Sequence, residues 1–191
     1  PGVRPEIGRT GICEIFGTGP ARTPGCGVFE NIHEIRPGHC AVFSRAGFSE
    51  YAYFSLEAVP YTDDYETAVQ KVRELLEDIV ERQLISDVPI CTFLSGGLDS
   101  SVITAIAARK LQERGMPLTT YSFEYRGNDT NFTPSSYQPD RDEPWAEKVS
   151  TLLGTEHHKL ICDNDRLASL LIDAVIAKDL PGMADIDSSL I

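Results

Sequence analysis

Methionine occurs twice and tryptophan once in 191 residues, and aromatic residues make up only 8%. Cations are in deficit: 17 Lys and Arg stand against 29 Asp and Glu, a net charge of −12. Such a chain is no general binder of nucleic acid or of an anionic membrane, since both require clustered Lys and Arg. A small anion is not excluded, because it needs only a local positive potential. No apolar run reaches the ~20 residues of a transmembrane helix; the most apolar helical run is 102–108. The opening PGVRPEIGRT lacks the charged start and apolar centre of a signal peptide and has no initial Met, as in an excised or processed piece. The cysteines, Cys13, Cys26, Cys40, Cys91 and Cys162, are odd in number and nowhere spaced C-x-x-C. This argues against a disulfide framework or zinc site and for a reducing cytoplasm. Cys91 lies inside an apolar run and reads as a small buried hydrophobe. Also missing are a Walker A loop, the G-x-G-x-x-G fingerprint and a G-x-S-x-G nucleophile elbow.

What is present is an ordinary globular balance, 41% hydrophobic and 24% charged, enough to bury a core. Residues 1–60 are rich in Gly, Pro and short apolar runs and read as a linker or arm, with two short strands around a Gly turn in PGHCAVFSRAGFSEYAYF. From residue 61 the texture changes. Val69, Val72, Leu75, Leu76, Ile79, Val80 and Leu84 form one helical stripe, with Asp63 and Glu66 spaced as a capping box. The opposite face, Lys71, Arg73, Glu74, Glu77, Asp78 and Glu81, reads as solvated. DVPICTFL then reads as a strand buried on both faces. A helix from Asp99 to about Arg114 follows, with Val102, Ile103, Ile106, Ala107 and Leu111 facing the core and Gly115 as its stop. LTTYSFEY is a strand and residues 126–141 a long polar loop, either a lid or a variable surface segment. DEPWAEKVSTLLG is a helix, EHHKLIC a strand and DNDRLASLLIDAVIAKDL a helix. This β-α-β-α-β-α order implies an α/β fold with a doubly wound parallel sheet, in which ligands sit beyond the carboxyl ends of the strands.

SGGLDSS, residues 95–101, lies at such an end. The first turn of a helix has N–H groups without intrahelical partners, and the helix dipole makes that point positive. Gly96 and Gly97 let the backbone turn sharply and approach a bulky anion. Ser95, Ser100 and Ser101 add hydroxyl donors. Asp99 is out of place beside an anion unless a divalent cation lies between them. The dipole contributes about 0.3–1 kcal/mol, whereas even millimolar binding needs about 4 kcal/mol. Further bonds, a metal and a base pocket must therefore share the task. On spacing alone a plain strand-to-helix turn is the competing reading.

SGGLDSS also resembles the pyrophosphate loop of the ATP pyrophosphatase (PP-loop) superfamily, S-G-G-x-D-S, which binds the pyrophosphate part of ATP. ENIHEIRPGHCAVF resembles the segment joining the two domains of glutamine-hydrolysing asparagine synthetases. The segments DVPICTFLSGGLDSS, TTYSFEY and DEPWAEKVSTLLGTEHHKL follow the order of their synthetase domain. The resemblance extends over about the whole chain and implies an adenine nucleotide α-hydrolase-like fold, incomplete as a fragment. It implies that residues 1–60 join a preceding glutaminase domain and that 61–191 begin the ATP-binding domain. It further implies ATP and Mg²⁺ as cofactors, aspartate as the adenylated acceptor, glutamine-derived ammonia, and a possible homodimer, with no nucleic acid and no membrane. Ser95, Gly96, Gly97, Asp99, Ser100 and Ser101 match the pyrophosphate loop, with Asp99 the Mg²⁺ contact. Phe93 or Leu94 matches a backbone contact to the nucleotide, and Tyr125 the residue near the adenine. The chain starts Pro-Gly where the family has a catalytic Cys, and the later catalytic residues would follow Ile191. The fragment is therefore expected to be inactive alone. PGMADIDSSL stands where several relatives carry Thr-Thr-x-Arg, with Asp187 in place of a cation, which bears on the acceptor; the competing reading of Asp185, Asp187 and Ser188 is a capped final helix cut short. Rival readings are another adenylating ligase such as a β-lactam synthetase, a nucleotide-binding module without turnover, or a purely structural protein.

His157 and His158 are adjacent on a strand and so point to opposite faces; a structural role fits them better than metal chelation. His33 and His39 have no ligand partners at useful spacing. Trp145, beside Pro144 in a first turn, reads as a packing anchor.

Overall fold

The computed structural model describes residues 5–19, 21–136 and 138–180. They fall into two units, Thr62–Arg166 and a second made of residues up to Tyr61 together with those from Leu167 onward. In the second unit a helix α1 (Arg9–Gly17) precedes a hairpin of β1 (His39–Ser44) and β2 (Gly47–Ala52), paired from His39↔Ala52 to Ser44↔Gly47. The hairpin is as expected. Helix α1 is not: its sequence RTGICEIFG carries two glycines and has no capping side chain, so it gives no local signal.

The unit Thr62–Arg166 opens with α2 (Tyr65–Gln83). Its cap is Asp64, whose carboxylate accepts from the Thr67 N–H at 2.8 Å. The expected cap, Asp63, instead pairs with Lys71. Along the apolar stripe only Val80 and Leu84 are buried, while Val72 and Leu75 stay more than half exposed. The charged face is not merely solvated. Glu77 meets Arg109 at 2.9 Å and Glu81 meets Lys110 at 2.7 Å, both on the neighbouring helix. These contacts draw the two helices together along their polar flank and leave part of the apolar stripe outside.

Strand β3 (Cys91–Phe93), helix α3 (Leu98–Glu113), β4 (Thr119–Tyr125), a short α4 (Asn128–Asn131), α5 (Glu143–Leu153) and β5 (Glu156–Cys162) follow, and α6 (Asn164–Lys178) leads out. β3, β4 and β5 pair in parallel in that order. The α/β class with a parallel sheet is as expected. The consecutive order is one half of a doubly wound sheet, whose strand order reverses only at its switch point. Helices α3 and α5 lie against each other and against the sheet, and α2 packs on α3. The core joins Val80 and Leu84 of α2, Ala107, Ala108 and Leu111 of α3, and Leu118 before β4.

The expectation that β3 is buried on both faces is corrected. The register rows separate the two faces. Thr92, Thr120 and His157 form one row, and Phe93, Tyr121 and His158 the next. The first row lies under the helices, where Thr92 hydrogen-bonds the fully buried Thr104 of α3 at 3.0 Å. On the other face Phe93 is 60% exposed and Cys91 is exposed, so Cys91 is not a buried hydrophobe. All five cysteines are free thiols. No helix of the described residues is long and apolar enough to cross a membrane. Asp185, Asp187 and Ser188 lie outside the described residues.

Candidate functional site

The loop between β3 and α3 is shaped by one glycine. Gly96 has φ +81°, a left-handed conformation that L side chains rarely adopt. A Cβ there would lie 2.5 Å from Trp145 Cβ and 2.6 Å from the Ala146 N. The loop backbone is thus pressed against the first turn of α5. Gly97 then takes an extended conformation, φ −67° and ψ 164°, as the N-cap of α3. No side chain caps that end. The amides of Leu98, Asp99 and Ser100, at the start of the helix, therefore face outward with no intrahelical acceptor.

Hydroxyls surround this end. Ser95 Oγ and Ser100 Oγ share a hydrogen bond at 3.0 Å, and Ser100 Oγ also donates to the Gly97 carbonyl at 3.2 Å. Among the described residues Ser101 Oγ is buried without a hydrogen-bond partner, an arrangement that is costly unless a further acceptor arrives. Asp99 is exposed at the rim. Among the described residues no group of three His, Cys, Asp or Glu side chains could hold a metal. A lone carboxylate does suit Mg²⁺ when phosphate oxygens and water complete its shell.

Beside the loop, at the end of β3 and along the middle of β4, a cavity of 150 Å³ is lined by Phe93, Leu94, Ser95, Tyr121, Ser122, Phe123, Asp142 and Glu143. It brings together three of the residues singled out from sequence, Phe93, Leu94 and Ser95. Leu94 is 1% exposed, and its N–H donates to the Tyr121 carbonyl at 2.8 Å. Any further backbone contact from Leu94 therefore falls to its carbonyl. The Phe93 and Phe123 rings stand 5.8 Å apart at one wall. Tyr125 ends β4 opposite Cys162, two residues past Phe123, and does not line this cavity. Larger hollows among the described residues are not lined by residues 95–101.

Asp142 and Glu143 make one wall of the cavity acidic. Glu143 pairs with Lys159 at 2.7 Å and with Arg141, and Lys159 also reaches Glu147. The Lys159 ammonium hydrogen-bonds the Glu143 carboxyl and holds its pKa below the ordinary carboxylate value. Asp142, Glu143 and Ser122 were not singled out from sequence. They reach the site through an adjacent strand and a later helix, a proximity that only the parallel register supplies. Trp145 acts through its backbone and Cβ rather than as a buried ring: it is 46% exposed, with the Lys148 ammonium 5.1 Å from the ring centroid. His157 and His158 do face opposite ways. His157 sits among Thr120 and Ser122, while His158 stacks on Tyr121 at 5.2 Å.

Comparison with known proteins accords with this geometry. The chain is 51% identical, over all of its length, to asparagine synthetase [glutamine-hydrolyzing] 3 of Bacillus subtilis. It is 32% identical over 80% of its length to amidase chyE of Penicillium rubens, and 32% identical over 69% to an asparagine synthetase [glutamine-hydrolyzing] of Triphysaria versicolor. It spans 31%, 24% and 21% of the lengths of these relatives, respectively. Residues 71–191 match the asparagine synthase family, a span that includes the glycine loop, the parallel strands and the cavity beside them. The chain belongs to the asparagine synthase family.

Proposed function

We propose that the protein carrying this chain is an ATP-dependent asparagine synthetase, and that residues 61–191 begin its ATP-binding domain. In this reading aspartate is adenylated with release of pyrophosphate, and ammonia derived from glutamine attacks the activated carboxyl. The start of α3 receives the pyrophosphate portion of ATP. The first-turn amides, with Ser95, Gly96, Gly97, Ser100 and Ser101, form its cradle. The cavity lined by Phe93 and Leu94 takes the rest of the nucleotide, with Tyr125 near the adenine. The observation that carries the reading is the uncapped, glycine-shaped helix start next to a buried, unpartnered Ser101 hydroxyl.

The chemistry asked of these residues is positioning and charge stabilisation. The substrate carboxylate attacks the α-phosphorus, the bond to pyrophosphate breaks, and negative charge grows on the leaving oxygens. The N–H groups at the start of α3 would meet that charge without having to reorganise. Mg²⁺, when bound, would neutralise part of the same charge, and Asp99 would hold it. No covalent bond to the protein is needed.

The experiment is Asp99→Asn in the whole protein. Asp99 is exposed, so the fold should survive. Aspartate-dependent pyrophosphate release should fall at least a hundredfold, about 2.7 kcal/mol, as when one transition-state contact is lost. Release at the parental rate overturns the role of Asp99. Release with other carboxylates but not with aspartate overturns the acceptor.

A further inference from the structure

A row of hydroxyls runs beneath the helices and ends at the cavity. Ser150 Oγ of α5 lies 2.9 Å from Thr155 Oγ1, which lies 3.1 Å from Thr120 Oγ1. Thr120 Oγ1 lies 2.8 Å from His157 Nδ1, and His157 Nε2 lies 3.0 Å from Ser122 Oγ. Thr120, Ser122 and Ser150 are buried, and Ser122 also lines the cavity beside Ser95. His157 is the only ring in this chain of contacts. A neutral imidazole donates through one nitrogen and accepts through the other, whereas each hydroxyl can do both. The five groups therefore have two ordered proton arrangements.

In one, every proton points away from the cavity. Ser122 donates to Nε2, Nδ1–H donates to Thr120, Thr120 to Thr155, and Thr155 to Ser150. Ser150 Oγ–H then has its own acceptor, the Thr155 carbonyl at 3.4 Å. All protons are placed within the protein, and Ser122 shows only lone pairs to the cavity. In the other, every proton points toward the cavity. Nε2–H donates to Ser122, whose own O–H is left over for an acceptor that the cavity must supply. The first arrangement is complete without a ligand, and the second is completed by one.

We propose that His157 is a positioning residue for the cavity beside Ser95: it fixes the Ser122 hydroxyl at the cavity wall, and its tautomer reverses when a ligand acceptor enters. The proposal rests on the reading that the cavity takes the nucleotide, and it adds which protein group meets a hydrogen-bond acceptor of that ligand. The surroundings favour the neutral ring that the two arrangements require. Burial lowers the His157 pKa, the charges of Lys159 and His158 lower it further, and Glu147 opposes them. The other groups on the row, Ser150, Thr155, Thr120 and Ser122, carry no charge.

The test is long-range ¹H–¹⁵N correlation of histidine-labelled whole protein at pH 8, without ligand and with ATP but no aspartate. His157→Gln identifies the signals. The expected result is an Nδ1–H ring in the free protein and an Nε2–H ring with ATP, the change being lost in Ser122→Ala. In kinetics, Ser122→Ala and His157→Gln should each raise KM for ATP about three- to tenfold, the loss of one neutral hydrogen bond. The turnover number should stay within about twofold, and the double variant should be no worse than the single ones, since both act on one contact. An unchanged His157 tautomer overturns the proposal, and so do additive effects; should His157→Gln not fold, the ring whose signals move in Ser122→Ala, its hydrogen-bond partner, identifies His157 in the unaltered protein. If calorimetry shows that the unaltered protein binds no ATP, the nucleotide reading fails and this proposal fails with it. If ATP binds and the tautomer does not respond, only this proposal fails.

Discussion

Replacing Gly96 with alanine separates two costs that usually travel together. The residue has φ +81°, so any L side chain meets the left-handed penalty of about 1–2 kcal/mol. The new Cβ would also lie 2.5 Å from Trp145 Cβ, 2.6 Å from the Ala146 N and 2.7 Å from the Trp145 carbonyl carbon. Two of these are backbone atoms of α5, which cannot swing away as a side-chain tip can. Forcing such an overlap adds about 1–3 kcal/mol, for a total of about 2–5 kcal/mol. Gly115 supplies the control. Its φ is +71° and nothing lies within 4 Å of its would-be Cβ, so Gly115→Ala should show the dihedral cost alone. Gly97 is a second control: its φ is −67°, and its nearest neighbour would be Ser95 Oγ at 3.4 Å. Gly97→Ala should cost at most about 1 kcal/mol, mainly as a poorer N-cap. Urea denaturation of the three variants reads the ranking directly. If Gly96→Ala is no less stable than Gly115→Ala, the packing of the loop on α5 is not as described, and the reasoning fails.

Two further outcomes follow from the row beneath the helices. Thr104→Val keeps shape but removes the partner of the Thr92 hydroxyl, and should destabilise by about 1–2 kcal/mol. Pairing it with Thr92→Val should recover part of that loss, and additive losses in denaturant titrations would count against the buried bond. Burial holds the His157 pKa below its usual 6.5, with help from Lys159 and His158, so the unfolded chain binds the extra proton first as pH falls. Its contribution to stability should be full above about pH 6.5 and lost as pH drops through the lowered folded value. His157→Gln should flatten that slope in urea midpoints taken between pH 7.5 and about 5.5; an unchanged slope would assign it to other groups. The Glu143 carboxyl, held low by Lys159, acts in a separate window, with stability lost below its usual 4.5.

Much of this unit could be read from local pattern. Glycines 96, 115 and 154, each with positive φ, punctuate the chain where the sequence suggests turns, and the alternation of strand and helix between them leads directly to a parallel sheet. Long-range pairing was not legible. Nothing local distinguishes Asp64 from Asp63 as a cap, because either can accept from a first-turn amide. Glu77 and Glu81 look like surface charges until α3 brings Arg109 and Lys110 beside them. The apolar residues of DVPICTFL suggested burial on both faces, yet apolarity does not say what covers each face. The site divided in the same way. Its loop was a contiguous motif, whereas the cavity walls, Ser122, Asp142 and Glu143, come from separate segments joined only by the fold.

The contact between Gly96 and the start of α5 has a mechanical consequence. A glycine-rich loop is usually pictured as a pliable flap, yet this one rests on the backbone of another helix with no space between them. It cannot shift toward α5 by itself. Any adjustment in that direction must displace the first turn of α5, and with it Asp142 and Glu143 on the cavity wall. The closest approach of the glycine loop to the acidic residues at the start of α5 is therefore set by backbone against backbone, and no side-chain rearrangement can shorten it.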